Sequence, residues 1–144
     1  MASAQPIAVT RRASLPWLAL AAVAVLAAVW LLRMFDPNAA GSPFPPCPFR
    51  AITGLFCPGC GITRALHALV HFDLARALAM NAMLVLSLPL LAVMVLQGYT
   101  GRTLLPRAAA RVVFDGRWWI AAMAAFGVLR NVPAFAWLAP GGML

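Results

Sequence analysis

The chain has 144 residues, of which 64% are hydrophobic and only 10% charged, and its formal net charge is +8. An ordinary soluble domain carries roughly a quarter of charged residues, so this composition excludes one and points to a small integral membrane protein built as a single domain. Every basic residue is Arg, and these are scattered between apolar blocks instead of gathered on one face, which fits topology signals and anionic lipid headgroups and gives no footprint for nucleic acid.

Three segments are candidates to cross a bilayer, which takes about 20 largely apolar residues. The first, residues 15–32, reads LPWLALAAVAVLAAVWLL and follows Arg11 and Arg12. The signal-peptide reading is set aside because the apolar run is too long and ends in Leu31-Leu32-Arg33 instead of small residues at a cleavage site. The second, residues 82–98, contains Pro89, which predicts a kink there. The third, residues 118–138, is interrupted: the run WWIAAMAAFGVL meets Arg130-Asn131 and then Pro133, where the helix is expected to bend or end.

Arginines set the expected orientation. Arg11 and Arg12 precede the first span, and Arg102, Arg107, Arg111 and Arg117 lie between the second and third, so both regions are placed in the cytoplasm. Residues 36–81 then fall on the outer side as a cysteine segment, with Arg50, Arg64 and Arg76 of its own. The segment opens with DPNAAGSPFPPCPFR, whose prolines predict a loop. From Gly61 onward Leu66, Leu69, Val70, Leu74, Ala77 and Leu78 recur at three- and four-residue steps, which predicts an amphipathic helix of about five turns that lies in the membrane interface or caps the bundle.

That helix begins where CPGCG, residues 57–61, ends. Pro58-Gly59 supplies a turn in which Gly tolerates positive φ, and Cys60 is expected near a helix N-terminus, where free N–H groups favour a thiolate. Three readings of the cysteines stay open. In the first, Cys47, Cys57 and Cys60 are ligands to a metal, with zinc as the implied cofactor, although a closed tetrahedral site needs a fourth ligand. His67 and His71 do not supply it, since on a helix they lie about 10 and 16 Å beyond Cys60. In the second they form a disulfide or a membrane thiol-disulfide oxidoreductase's dithiol. In the third they are small packing residues that let the helix dock, with no cofactor.

These residues carry a resemblance. The stretch from Cys47 to Pro89, CPFRAITGLFCPGCGITRALHALVHFDLARALAMNAMLVLSLP, together with FGVLRNVP at 126–133, resembles the bacterial family known as domain of unknown function 2752. The family pattern falls on Cys47, Cys57, Pro58, Cys60, Gly61, Thr63, Arg64, Asn81, Arg130 and Asn131, with Gly59 between the two cysteines of the motif. Ala82 departs from it, standing where the family often has Pro after the Asn. The resemblance implies a small multi-pass membrane protein and no established reaction.

Arg130, set in apolar surroundings, needs a partner, and the sequence offers Asp73 or the carbonyls of the cysteine segment; the alternative is a side chain that reaches headgroups from the end of a broken helix. No carboxylate pair, phosphate loop or Ser-His-Asp set is present to name as catalytic. The expectation is therefore an all-α multi-pass membrane protein of non-enzymatic role, structural or partner-binding through its outer CPGCG segment. Its expected contacts are membrane lipids and another membrane protein.

Overall fold

The computed structural model describes residues 15–39 and 41–142, and the described chain is all α-helical apart from turns and one short 3₁₀ segment. Arg11 and Arg12, used above for orientation, lie outside the described residues. Helix α1, Leu15–Met34, has 20 residues, about 30 Å at 1.5 Å per residue, and is uncharged until Arg33. Large side chains along it, among them Trp17, Val25, Leu26 and Trp30, are exposed to the surroundings of the chain. In a chain this apolar such a surface is a lipid face.

After the short α2, Pro48–Thr53, the chain turns through CPGCG into α3, Ile62–Val70, and then α4, Leu74–Thr100. The expected five-turn amphipathic helix is broken in two. At its break Phe72 adopts φ +61°, Phe72 N–H donates to the Leu69 carbonyl and Asp73 N–H to that of Ala68. This is a Schellman-type stop with a phenylalanine in the left-handed position usually held by Gly. Asp73 then caps α4 by accepting from Arg76 N–H at 2.9 Å. α3 and the first two turns of α4 thus form a helical hairpin, and the residues at its centre are small: Ala65, Ala68, Ala77 and Ala79 are all buried, which brings the two backbones close.

α4 is interrupted as well. Its non-helical dihedrals fall at Asn81 (φ −157°, ψ 90°), not at Pro89. The Asn81 side-chain oxygen accepts from Leu84 N–H at 2.9 Å, the geometry of an N-cap, so the apolar run starts at Ala82 as a freshly capped helix. The cap defines the helix start with Ala82 in the first helical position. The carbonyl of Ala79, freed by the break, accepts instead from Gly141 N–H at 3.0 Å. That bond ties the C-terminal segment to the kink.

The third segment does not form one helix across 118–138. α5, Arg107–Val113, and α6, Gly116–Leu129, meet at a bend of 63°, and the chain beyond Leu129 makes a turn and a 3₁₀ helix, Pro133–Leu138. Asp115 caps α6 through Arg117 N–H. With 14 residues α6 is only about 21 Å long, so α1 and α4 are the two helices with both the length and the apolarity to span a bilayer, and the bent α5–α6 pair is a third candidate.

Packing hinges on Gly61 at the hairpin's open end. It has φ +86°, and a Cβ there would run into the Met80 carbonyl oxygen. The two left-handed positions should therefore respond with opposite sign. Gly61→Ala is expected to cost about 1–3 kcal/mol, whereas Phe72→Gly relieves a strained backbone and is expected to stabilise by about 1 kcal/mol. Thermal unfolding in detergent measures both, with Gly98→Ala, which meets no neighbour within 4 Å, as the reference.

Candidate functional site

Pro58 and Gly59 make a tight turn: Cys60 N–H donates to the Cys57 carbonyl at 3.0 Å and Ile62 N–H to that of Gly59 at 3.1 Å. The left-handed glycine of the motif is Gly61, the N-cap of α3, and not Gly59, because the direction change occurs where the turn enters the helix. Gly59 remains exposed at the tip. The turn places Cys60 Sγ 3.3 Å from both the Cys57 N–H and the Cys57 Sγ. Cys47, ten residues earlier at the start of α2, brings its Sγ to 3.4 Å from that of Cys57. All three sulfurs lie within 4.8 Å of one another, and the three cysteines are free thiols.

The thiols differ in character, and not as the sequence suggests. Cys60 lies before the helix instead of in its first turn and is only 6% exposed, and this burial, followed by its two thiol neighbours, pushes its pKa up to about 11. Cys47 is the residue at a helix N-terminus, preceding Pro48 of α2. No side-chain cap bond is closed there, but the facing N–H of Arg50 and then the Cys57 thiol bring the Cys47 pKa down to about 7.

What fixes the turn comes from the far end of the chain. Arg130, 2% exposed, donates from Nη1 to the carbonyls of Cys57 at 2.9 Å, Cys60 at 3.0 Å and Pro58 at 3.3 Å. Of the partners offered by the sequence it takes the carbonyls, and Asp73 is committed to capping α4. Asn81 donates from Nδ2 to the Pro58 and Cys60 carbonyls at 3.0 and 3.2 Å. Asn131 pairs with the backbone of Phe56 in both directions at 2.8 Å, accepting its N–H and donating to its carbonyl, and also donates to the Gly127 carbonyl at 2.7 Å. Three polar side chains, Asn81 of α4 and Arg130 and Asn131 at the end of α6, therefore hold the main chain of residues 56–60 at every position but Gly59, which leaves the cysteine side chains unencumbered.

Several contributors are not marked by the motif. Gly127 of α6 gives room to Pro58, whose Cγ would stand 2.8 Å from a Cβ at that position; a lone Gly in an apolar helix was the only sign. Phe56 and Phe126 face the guanidinium of Arg130, with ring centroids 5.7 and 4.7 Å from Cζ, and Arg50 lies 3.9 Å over the Phe56 ring. His67 is not near the thiols. Its Nδ1 meets the Leu32 carbonyl at 2.7 Å, and Arg33 donates to the Val70 carbonyl at 2.8 Å, so both residues dock the end of α1 on α3. Thr63 and Arg64 face an open groove of about 970 Å³ that runs beside the cysteines, between the proline-rich loop and the start of α3; Phe44, Cys47, Arg50 and Cys60 also line it.

Two tests follow from this geometry. Removing the Arg130 guanidinium as Arg130→Met should lower stability in detergent by about 2–3 kcal/mol, the scale of hydrogen bonds to a charged group. Arg64→Met on the exposed face should change it by less than about 0.5 kcal/mol, and equal effects would contradict the clamp. In reduced, chelator-treated protein, brief alkylation across a pH series should modify Cys47 with a midpoint near pH 7, because its thiolate forms above its pKa, and Cys60 only under alkaline conditions near pH 11. Peptide mass spectrometry reads each site.

No curated protein and no solved structure matches the chain. Residues 47–95 match the model of a family described as protein of unknown function (DUF2752), a match that takes in all three cysteines and Asn81 and ends before Arg130 and Asn131. Over the segment that builds the thiol cluster and begins the second span, the chain resembles the DUF2752 family.

Proposed function

We propose that this membrane protein is a non-enzymatic recognition component, with residues 36–81 on the outer side of a bacterial cell membrane and the N-terminus in the cytoplasm. Its clamped CPGCG segment forms one wall of a docking groove for another membrane protein. The observation that carries the reading is the use of Arg130 and Asn131. Burying Arg130 and spending the half-buried Asn131 to fix main-chain groups of residues 56–60 is costly in so small a chain, and the result is a loop of defined shape beside the groove. The charged residues lining that groove are Arg50 and Arg64, which favour an extended, anionic segment of the partner. Exposed Arg102, Arg107, Arg111 and Arg117, from the end of α4 to the first turn of α6, support the orientation.

The test uses the full chain in cells. A photo-crosslinking amino acid in place of Phe44, in the groove, should capture one discrete protein, and Arg50→Glu with Arg64→Glu should abolish the adduct. The same probe in place of Leu86, exposed on α4, should not capture that protein. Adducts with lipid alone, or a protein adduct indifferent to charge reversal, would refute the docking reading. Orientation is checked separately, after mild reduction and metal chelation, with a membrane-impermeant maleimide, which should label Cys47 from outside and the cysteine introduced by Arg107→Cys only after permeabilisation.

A further inference from the structure

We propose that Cys47, Cys57 and Cys60 form a three-thiolate zinc site whose fourth coordination position opens into the groove. The inference does not depend on the partner reading, and it begins with sulfur positions. Zinc–thiolate bonds of 2.3 Å in tetrahedral geometry set sulfurs about 3.8 Å apart. The observed Cys47–Cys57 and Cys57–Cys60 separations are 3.4 and 3.3 Å, with all three sulfurs within 4.8 Å. Changes of about 0.4–0.5 Å in these two separations, and of at most about 1 Å between Cys47 and Cys60, bring the three onto a common ion. Cys57 N–H already points at the Cys60 sulfur at 3.3 Å, a main-chain bond to a prospective thiolate of the kind that stabilises metal-bound sulfur.

Charge provides the independent observation. Arg130 is buried against the carbonyls of this loop, and its Nε and Nη2 are buried with no hydrogen-bond partner among the described residues. The chain has three acidic residues, and none is spent on this cation. Asp73 and Asp115 cap helices, and Asp36 bonds to Asn38 and faces His67. A zinc ion that displaces three thiol protons gives a centre of net charge −1. Such a centre, placed on the loop that Arg130 holds, offsets the buried positive charge; three neutral thiols do not.

The chemistry of the donors selects the ion. Thiolates favour zinc or copper(I) over hard cations, and a zinc site with three protein ligands keeps its fourth position for water or an exogenous donor. Among the described residues no His or carboxylate joins the cluster, and His67 is occupied at the other end of α3. Cys47 and Cys60 both line the groove, which gives that fourth position its access.

The experiment takes the full-length protein, purified in detergent under reducing conditions, and adds zinc, cobalt(II) or copper(I), each alone. One zinc per chain is expected, and cobalt should give a thiolate-to-metal charge-transfer band with the intensity of three thiolates and the visible bands of a tetrahedral ion. Cys47→Ser should weaken zinc binding by more than about 100-fold, beyond the effect of altering an outer-shell group, while His71→Ala should bind as the parent does. Circular dichroism establishes that each variant is folded. Should Cys47→Ser fail to fold, the cobalt spectrum of the parent decides by itself. Three titratable thiols that take up neither ion would overturn the proposal. So would undiminished binding by folded Cys47→Ser, copper(I) binding without zinc binding, or a Cys57–Cys60 disulfide that persists under reduction.

Discussion

A single guanidinium nitrogen, Nη1 of Arg130, meets three main-chain carbonyls of the loop at residues 57–60, and the arrangement of the cysteine region depends on it. Carbonyl dipoles converge poorly by themselves because their oxygens repel, and a cation between them turns that repulsion into attraction. Asn81 adds donors to two of the same oxygens from α4, and Asn131 fixes the preceding residue, Phe56, by a pairing that imitates one rung of a β-ladder. Because the hydrogen bonds from Arg130, Asn81 and Asn131 all go to the loop's main chain, they hold its shape without engaging the thiols. Three sulfurs can then share one small volume.

The same economy appears in the hairpin beneath the loop. Alanines at 65, 68, 77 and 79 let α3 lie close to the first turns of α4, as small residues do wherever helices approach in an apolar medium. Gly61 continues the series at the hairpin's end and Gly127 repeats it where α6 meets Pro58. The large apolar residues are turned outward on α1, α4 and α6, so the interior is built from small side chains and main-chain hydrogen bonds while the bulk faces lipid.

Periodicity and composition made the spans of α1 and α4 legible, because a run of apolar residues of bilayer length has few other uses. The motif also announced that Cys57, Cys60 and Arg130 mattered. What the sequence did not show were the interruptions. Phe72 carries no stop signal, since left-handed backbone is ordinarily the mark of Gly or Asn, and only the tertiary fit of the hairpin holds a phenylalanine there. The kink was assigned to Pro89, the obvious helix breaker, yet Asn81 breaks α4 by offering its side chain as a cap. The acidity of the thiols was assigned by proximity to α3, whereas α2, too short to announce itself, supplies the helix start beside Cys47. In each case a local rule was sound but was overruled by another contact, the packed hairpin at Phe72, the Asn81 cap on Leu84 N–H and the Arg50 N–H at Cys47, while the clamp itself joins residues distant in sequence.

That distance has a consequence for biogenesis. Arg130 is separated from Cys57 by 73 positions, and Asn131 from Phe56 by 75. A ribosome adding about 5–20 residues per second needs roughly 4–15 s between the cysteines and the residues that clamp them. Through that interval the nascent chain presents a thiol-bearing loop whose carbonyls lack their cation. Synthesis of Arg130 and Asn131 closes that interval.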